Sequence, residues 1–241
     1  MPSPDATRLA VLIDSDNATA SLTKELLDEI AKYGTPTIKR AYGDWTTQNL
    51  AGWKDELLRH AIQPMQQFAY TRGKNSTDSA LIIDAMDLLY AGNLEGFVLV
   101  SSDSDFTRLA TRLREAGMTV YGLGRRNTPT AFVAACDRFI YLDLLGGEQQ
   151  DGAEPAPVRP DLKRLLSTAI SNTSKDDGWS SLGEVGSFLV KNNAAFDARD
   201  YGHGKLGELV RAQPYVEVKN ERGPSGLNTL WVRLNGAARA R

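Results

Sequence analysis

The chain has 241 residues, 41% of them apolar and 24% charged, with a formal net charge of −2. That is the composition of a soluble globular protein, long enough for one large domain or for a large and a small one. With no apolar run long enough to span a bilayer, no cationic and apolar N-terminus, and a single cysteine (Cys136), the pattern argues against a membrane span, a signal peptide, an internal disulfide and a cysteine-rich zinc site. The expected location is the cytoplasm, with no membrane partner. Residues 1–150 hold 15 Lys and Arg against 19 Asp and Glu, net −4, whereas residues 151–241 hold 13 against 11, net +2. The small basic excess weakly favours nucleic-acid contact by the later part.

In chain order, the strand patterns are Arg8–Asp14, Thr37–Tyr42, Met65–Ala69, Phe97–Ser101, Thr119–Leu123 and Phe139–Tyr141. Helical patterns fall between them at about 18–33, 47–61, 78–91, 105–117 and 129–136. Such alternation predicts βα units wound into an α/β fold with a doubly wound, mostly parallel sheet. Gly117 follows Leu113-Arg114-Glu115-Ala116 as a helix stop. Residues 146–158, rich in Gly, Pro and polar side chains, read as a flexible linker between a domain at 1–145 and another at 159–241. The second predicts helices near 160–172, 180–192 and 203–212, then strands Tyr215–Lys219 and Thr229–Arg233. Three helices and a hairpin make a small winged helix-turn-helix.

The chemistry lies in the aspartates. Asp14 and Asp16 follow the run Leu9-Ala10-Val11-Leu12-Ile13, and Asp103 and Asp105 follow Phe97-Val98-Leu99-Val100-Ser101-Ser102. Both pairs fall at carboxyl ends of buried strands, where open α/β sheets bind ligands. Carboxylates gathered there repel one another unless a cation or protons share the site. Hard oxygen donors without nearby His or Cys point to Mg2+ or Mn2+. Asp78 shares a helix face with Leu81, Ile82, Ala85 and Leu89, so it points from the helix start toward the sheet edge, while Asp84 and Asp87 fall on the opposite, solvated side. Asn17 reads either as a helix cap or as a partner of Asp14. Asp16 reads as a helix-start acid or a supporting group, and Asp105 as a ligand or a supporting group. Ser102 is a cap or a substrate contact. Lys74, in the loop before the Asp78 helix, and Arg125 and Arg126, at the same rim after the fifth strand, read as phosphate contacts or as ordinary surface cations. His60 and His203 read as surface residues, and Cys136 as a small buried side chain.

The order Leu12-Ile13-Asp14-x-x-Asn17, Lys74-x-x-x-Asp78 and Ser101-Ser102-Asp103-x-Asp105-Phe106 resembles the NYN family of PIN-like nucleases over about residues 7–145. The resemblance implies an acidic pocket that takes Mg2+ or Mn2+ and hydrolyses RNA. Asp14, Asp78 and Asp103 would be its metal ligands, Asp105 a fourth acid and Asn17 the group that orients Asp14. Trp179-x-x-Leu182-Gly183-x-Val185-Gly186, Phe196-Asp197-x-Arg199-x-Tyr201-Gly202 and Lys205-Leu206-x-x-Leu209-Val210 are similar to the OST-HTH/LOTUS domain, a binder of RNA or protein. Lys205, Arg211, Lys219 and Arg222 are its phosphate-contact candidates, although any one of them taken alone reads first as a solvated cation. The combined expectation is a Mg2+- or Mn2+-dependent ribonuclease with a tethered RNA-binding module. The alternatives are a non-catalytic RNA-binding adaptor and, from Asp14-Ser15-Asp16, a haloacid-dehalogenase-type phosphatase. Oligomeric state is left open by the pattern.

Overall fold

A computed structural model describes residues 7–68, 76–146, 160–222 and 228–235, with the side chain of residue 222 outside the description. Lys74 and nearly all of the proposed linker lie outside the described residues. The chain divides into two compact units, one ending at Ala156 and the other starting at Pro157.

In the first unit, six strands form one parallel sheet: β1 (Arg8–Asp14), β2 (Thr35–Gly43), β3 (Gln63–Gln66), β4 (Gly96–Val100), β5 (Thr119–Gly124) and β6 (Arg138–Tyr141). Their spatial order is β3-β2-β1-β4-β5-β6. Leu9 to Ile13 are all 0% exposed, because β1 is central and both faces of a parallel sheet are covered by crossover helices. Those helices are α1 (Thr23–Ile30), α2 (Trp53–Arg59), α3 (Ser76–Ala91), α4 (Thr107–Glu115) and α5 (Thr130–Ala135). Leu9, Val11 and Ile13 pack with Leu26 and Ile30 of α1 and with Trp53 and Leu57 of α2. Gly117 closes α4 at φ +84°, a conformation that a side chain would strain.

The chain winds outward in one direction from β1 to β3 and in the other from β4 to β6. The order reverses between β1 and β4, and a crevice opens at the carboxyl ends of strands at such a reversal.

Three local expectations are corrected. The third strand is Gln63–Gln66, not Met65–Ala69. It is an edge strand with Gln63, Pro64 and Gln66 exposed, so it needs no apolar run. Several helices also begin later than their apolar period, since 3-10 turns at Ala20–Leu22, Gln48–Leu50 and Ser104–Phe106 precede them. Finally, Asp84 is not solvated: its carboxylate accepts from Tyr42 Oη and from Arg40 Nη1 on β2.

The second unit holds α6 (Leu162–Thr173), β7 (Ser180–Ser181), α7 (Leu182–Asn192), α8 (Leu206–Arg211), β8 (Val216–Arg222) and β9 (Asn228–Leu234). The sheet order is β7-β9-β8, antiparallel throughout. The two-residue β7 carries no sequence signal of its own. Ser181 caps α7 in a reciprocal capping box with Glu184. Val185, Leu189, Leu209 and Val232 are buried in this unit's core, with Leu182, Phe188 and Leu206 packed against it.

Candidate functional site

Three aspartates meet at the reversal point. Carboxylate oxygens of Asp78, Asp103 and Asp105 lie within 4.8 Å of one another. Asp78 stands in the first turn of α3, and the other two follow β4. Asp78 and Asp103 are half-buried and Asp105 is exposed, so the cluster opens to solvent.

Asp14, at the end of β1, lies outside that mutually close group and is 1% exposed. Its Oδ2 accepts from Asn17 Nδ2 and from Ser101 Oγ, each at 2.7 Å, and its Oδ1 accepts from the Asp16 amide at 3.2 Å. Ser101 Oγ also accepts from the Asp103 amide at 3.1 Å. One buried hydroxyl thus joins the ends of β1 and β4. Asp103 in turn caps the next turn, its Oδ1 accepting from the Asp105 amide at 2.9 Å. Sequence reasoning quoted Ser101 only within a motif and gave it no role, whereas its hydroxyl bonds both Asp14 and the Asp103 amide. Its signal was a buried hydroxyl ending an otherwise apolar strand.

The charges oppose one another. The Asp78 carboxyl is pushed up to about 6, first by burial and then by the charges of Asp14, Asp103, Asp105 and Asp16. Asp16 is also raised, by burial and by Asp14, while a hydrogen bond with Thr77 opposes the shift. A cation placed among these carboxylates would relieve the repulsion that raises Asp78. Oxygens around Mg2+ at about 2.1 Å lie roughly 3–4 Å apart, so small side-chain movements bring these three to coordination distance. The donor set therefore fits Mg2+ or Mn2+.

The remaining candidates sort by their contacts. Asn17 does not cap a helix, since the first turn is capped at Thr19; it donates to Asp14 instead. Ser102 Oγ accepts from the Arg125 amide at 2.8 Å and holds the loop after β5. The Arg125 side chain is exposed on that loop. Arg126 is committed within the fold, paired with Asp143 at 2.9 Å and lying 4.4 Å over the Tyr141 ring. His60 is half-buried, with Nε2 3.2 Å from Glu56. Cys136 is buried and its thiol is pushed up to about 12, mainly by burial. Asp14 is 1% exposed and accepts hydrogen bonds at both oxygens, which argues against its use as the attacking nucleophile of the phosphatase alternative.

Arg126→Ala, which loses the Asp143 pair and the contact with Tyr141, is expected to lower Tm, whereas Arg125→Ala is expected to leave it unchanged. Thermal melts of the two variants decide this. A larger fall in Tm from Arg125 would refute the assignment.

In the second unit Lys205 and Arg211 are exposed at the two ends of α8. Lys219 lies 4.4 Å from the Trp179 ring centre and pairs with Glu221.

The profile of the NYN domain family matches residues 8–143, and that of the OST-HTH/LOTUS domain matches residues 154–227. No curated protein matches the chain. Among solved structures, a protein of unknown function from Vibrio parahaemolyticus aligns over 58% of this chain and 96% of its own, at 18% identity and a TM-score of 0.49. A fragment of a Chromobacterium violaceum protein aligns over 32% of this chain and 84% of its own, at 33% identity and a TM-score of 0.28. An uncharacterised protein from Nitrosomonas europaea covers 37% and 91%, at 28% identity and a TM-score of 0.29. No helix among the described residues is long and apolar enough to cross a membrane.

Proposed function

Since the chain belongs to the NYN family and carries an OST-HTH/LOTUS domain, we propose that it is an endoribonuclease dependent on Mg2+ or Mn2+, acting at Asp78, Asp103 and Asp105. The observation that carries this reading is the convergence of three carboxylates, one of them held up to about 6, at the reversal point of the sheet.

Asp78, Asp103 and Asp105 would hold the ion. When bound, it supplies acidification of water and neutralisation of phosphate charge. The protein's own part is positional. Asn17 and Ser101 fix the Asp14 carboxylate, and Ser101 fixes the Asp103 backbone from the same hydroxyl. Asp14 adds negative charge behind the ligands and so strengthens their hold on a cation. Arg125, exposed on the neighbouring loop, would draw in the substrate's phosphates, with Lys74 a second candidate. Nothing in this acid set requires a 2′-hydroxyl; the preference for RNA is argued from the OST-HTH/LOTUS domain, which raises the local concentration of RNA through the tether. Lys205 is its first contact candidate.

The test is labelled single-stranded RNA incubated with the full chain in Mn2+, beside EDTA and Asp103→Asn controls. Cleavage that disappears in both controls is the expected result. RNA bound equally by both proteins and left intact would replace the enzyme with an adaptor.

A further inference from the structure

Helix α3 has an unusual composition for a helix that must aim one side chain. Apolar residues occur on all its sides: Leu81, Ala85 and Leu88 are buried, Ile82, Met86 and Leu89 are half-buried, and Ile83 and Tyr90 are 63% and 73% exposed. Turning this helix by one residue about its axis exchanges one apolar set for another of similar area. Burial at about 25 cal/mol per Å2 therefore barely distinguishes the two settings. Yet the setting decides whether Asp78 faces Asp103 and Asp105, because each residue step is about 100° of rotation.

Directional contacts do distinguish them. Asp84, less than two turns beyond Asp78, is joined by both carboxylate oxygens to neighbouring residues of one strand: Arg40 Nη1 meets Oδ1 and Tyr42 Oη meets Oδ2. The Asp84 side chain is 17% exposed and that of Arg40 23%. Tyr42 is 1% exposed, and burial together with the Asp84 charge holds its hydroxyl far above the usual phenol range, so it remains a donor. Arg40 Nε is buried without a hydrogen-bond partner, a cost that apolar residues at this interface would not carry. In some proteins a buried polar group retained at such cost fixes register rather than adding stability.

The strand end matters as well. Tyr42 pairs in register with Asp14, and its carbonyl accepts from the Ser15 amide at 3.0 Å. The same residue thus borders the backbone of one site acid and grips the helix that carries another.

We propose that the Arg40–Tyr42–Asp84 cluster is a rotational pin for α3: these are positioning residues that hold Asp78 toward Asp103 and Asp105. The proposal rests on the metal-site reading above for its functional consequence, but the orientation it describes can be measured without metal.

In the full chain, Tyr42→Phe and Asp84→Asn are compared with Leu26→Ala, a core change in α1 that destabilises without touching α3. Calorimetry with Mn2+ gives the affinity. In parallel, Asp78→Cys and Asp103→Cys are introduced together, and the fluorescence yield of dibromobimane bridging the two thiols reports their proximity; buried Cys136 does not compete. Both pin variants are expected to weaken Mn2+ binding about 10-fold, the scale for groups that orient ligands, and to lower the bridging yield. Leu26→Ala should lower Tm and change neither. A fall in Tm with affinity and bridging at wild-type values would make the cluster merely structural and overturn the proposal. Should the wild type bind no Mn2+, the metal reading fails by itself, and bridging alone decides the pin: a reduced yield supports it and an unchanged yield refutes it.

Discussion

Asp78→Asn is expected to melt higher than the wild type at pH 7.5 in EDTA, by a few degrees, while cleaving RNA in Mn2+ slower by about 100-fold or more. The second figure follows because losing a ligand costs no less than losing a residue that orients one, which is worth about 10–100-fold. The first follows from linkage. The folded-state pKa of Asp78 is raised to about 6, from 3.8. The folded state therefore binds this proton more tightly than the unfolded state does. The associated stability is fully present below the unfolded value and is lost as pH rises through the folded one. Above about pH 6 the metal-free wild type carries the Asp78 charge beside those of Asp14, Asp103, Asp105 and Asp16, and Asn at position 78 removes it. The difference in Tm between variant and wild type should accordingly be small near pH 4, grow between pH 4 and 6, and level off above. Saturating Mn2+ should reverse the order, because only the wild type gains binding energy from it. Melts of both proteins from pH 4 to 8, with and without Mn2+, provide the check. A variant that melts lower than the wild type at pH 7.5 in EDTA would show that the cluster is not under repulsion.

Asp14→Ala should behave in the opposite way on stability and the same way on activity. This carboxylate is buried and accepts three hydrogen bonds, from Asn17, Ser101 and the Asp16 amide. Alanine leaves the Ser101 hydroxyl and the Asp16 amide without their acceptor and opens a small cavity. Unsatisfied buried groups cost about 1–3 kcal/mol each, so a loss of about 2–4 kcal/mol is expected. For a unit of this size that corresponds to a fall in Tm of roughly 5–10 °C. Cleavage should fall by about 10–100-fold, because the Ser101 hydroxyl that accepts from the Asp103 amide loses the carboxylate that holds it in place. Denaturant unfolding and the RNA assay measure the two losses separately. Activity retained in a folded Asp14→Ala protein would remove this residue from the site.

The two variants together mark the limit of what the sequence disclosed. The central strands were legible because burial on both faces demands continuous apolar runs: the first strand begins and ends at the residues read from the sequence, Arg8 and Asp14. The edge strand β3 was displaced because an edge answers to no such demand. At the site, acidic residues at strand ends were visible, since charge interrupts an apolar run. Their division of labour was not. Asp14 and Asp103 look alike in sequence, yet Asp14 is 1% exposed and accepts from Ser101 across the β1–β4 interface, whereas Asp103 is half-buried and lies close to Asp78 and Asp105. Asp84 failed for a related reason. Helical geometry correctly placed it away from the Asp78 face, but away from that face is toward Arg40 and Tyr42, partners 44 and 42 positions distant. Arg126 and Asp143 are 17 positions apart and equally invisible to local pattern.

The hydroxyl bridge between Ser101 and Asp14 spans 87 positions of chain. While the protein is being synthesised, the first site acid leaves the ribosome long before the strand that completes the cluster. A truncated or stalled chain ending before β4 has Asp14 and Asp78 but neither Asp103 nor Asp105, and no hydroxyl to orient what it has. The order of the strands along the chain thus acts as a timer, keeping the acid cluster unassembled until the fourth strand has taken its place beside the first.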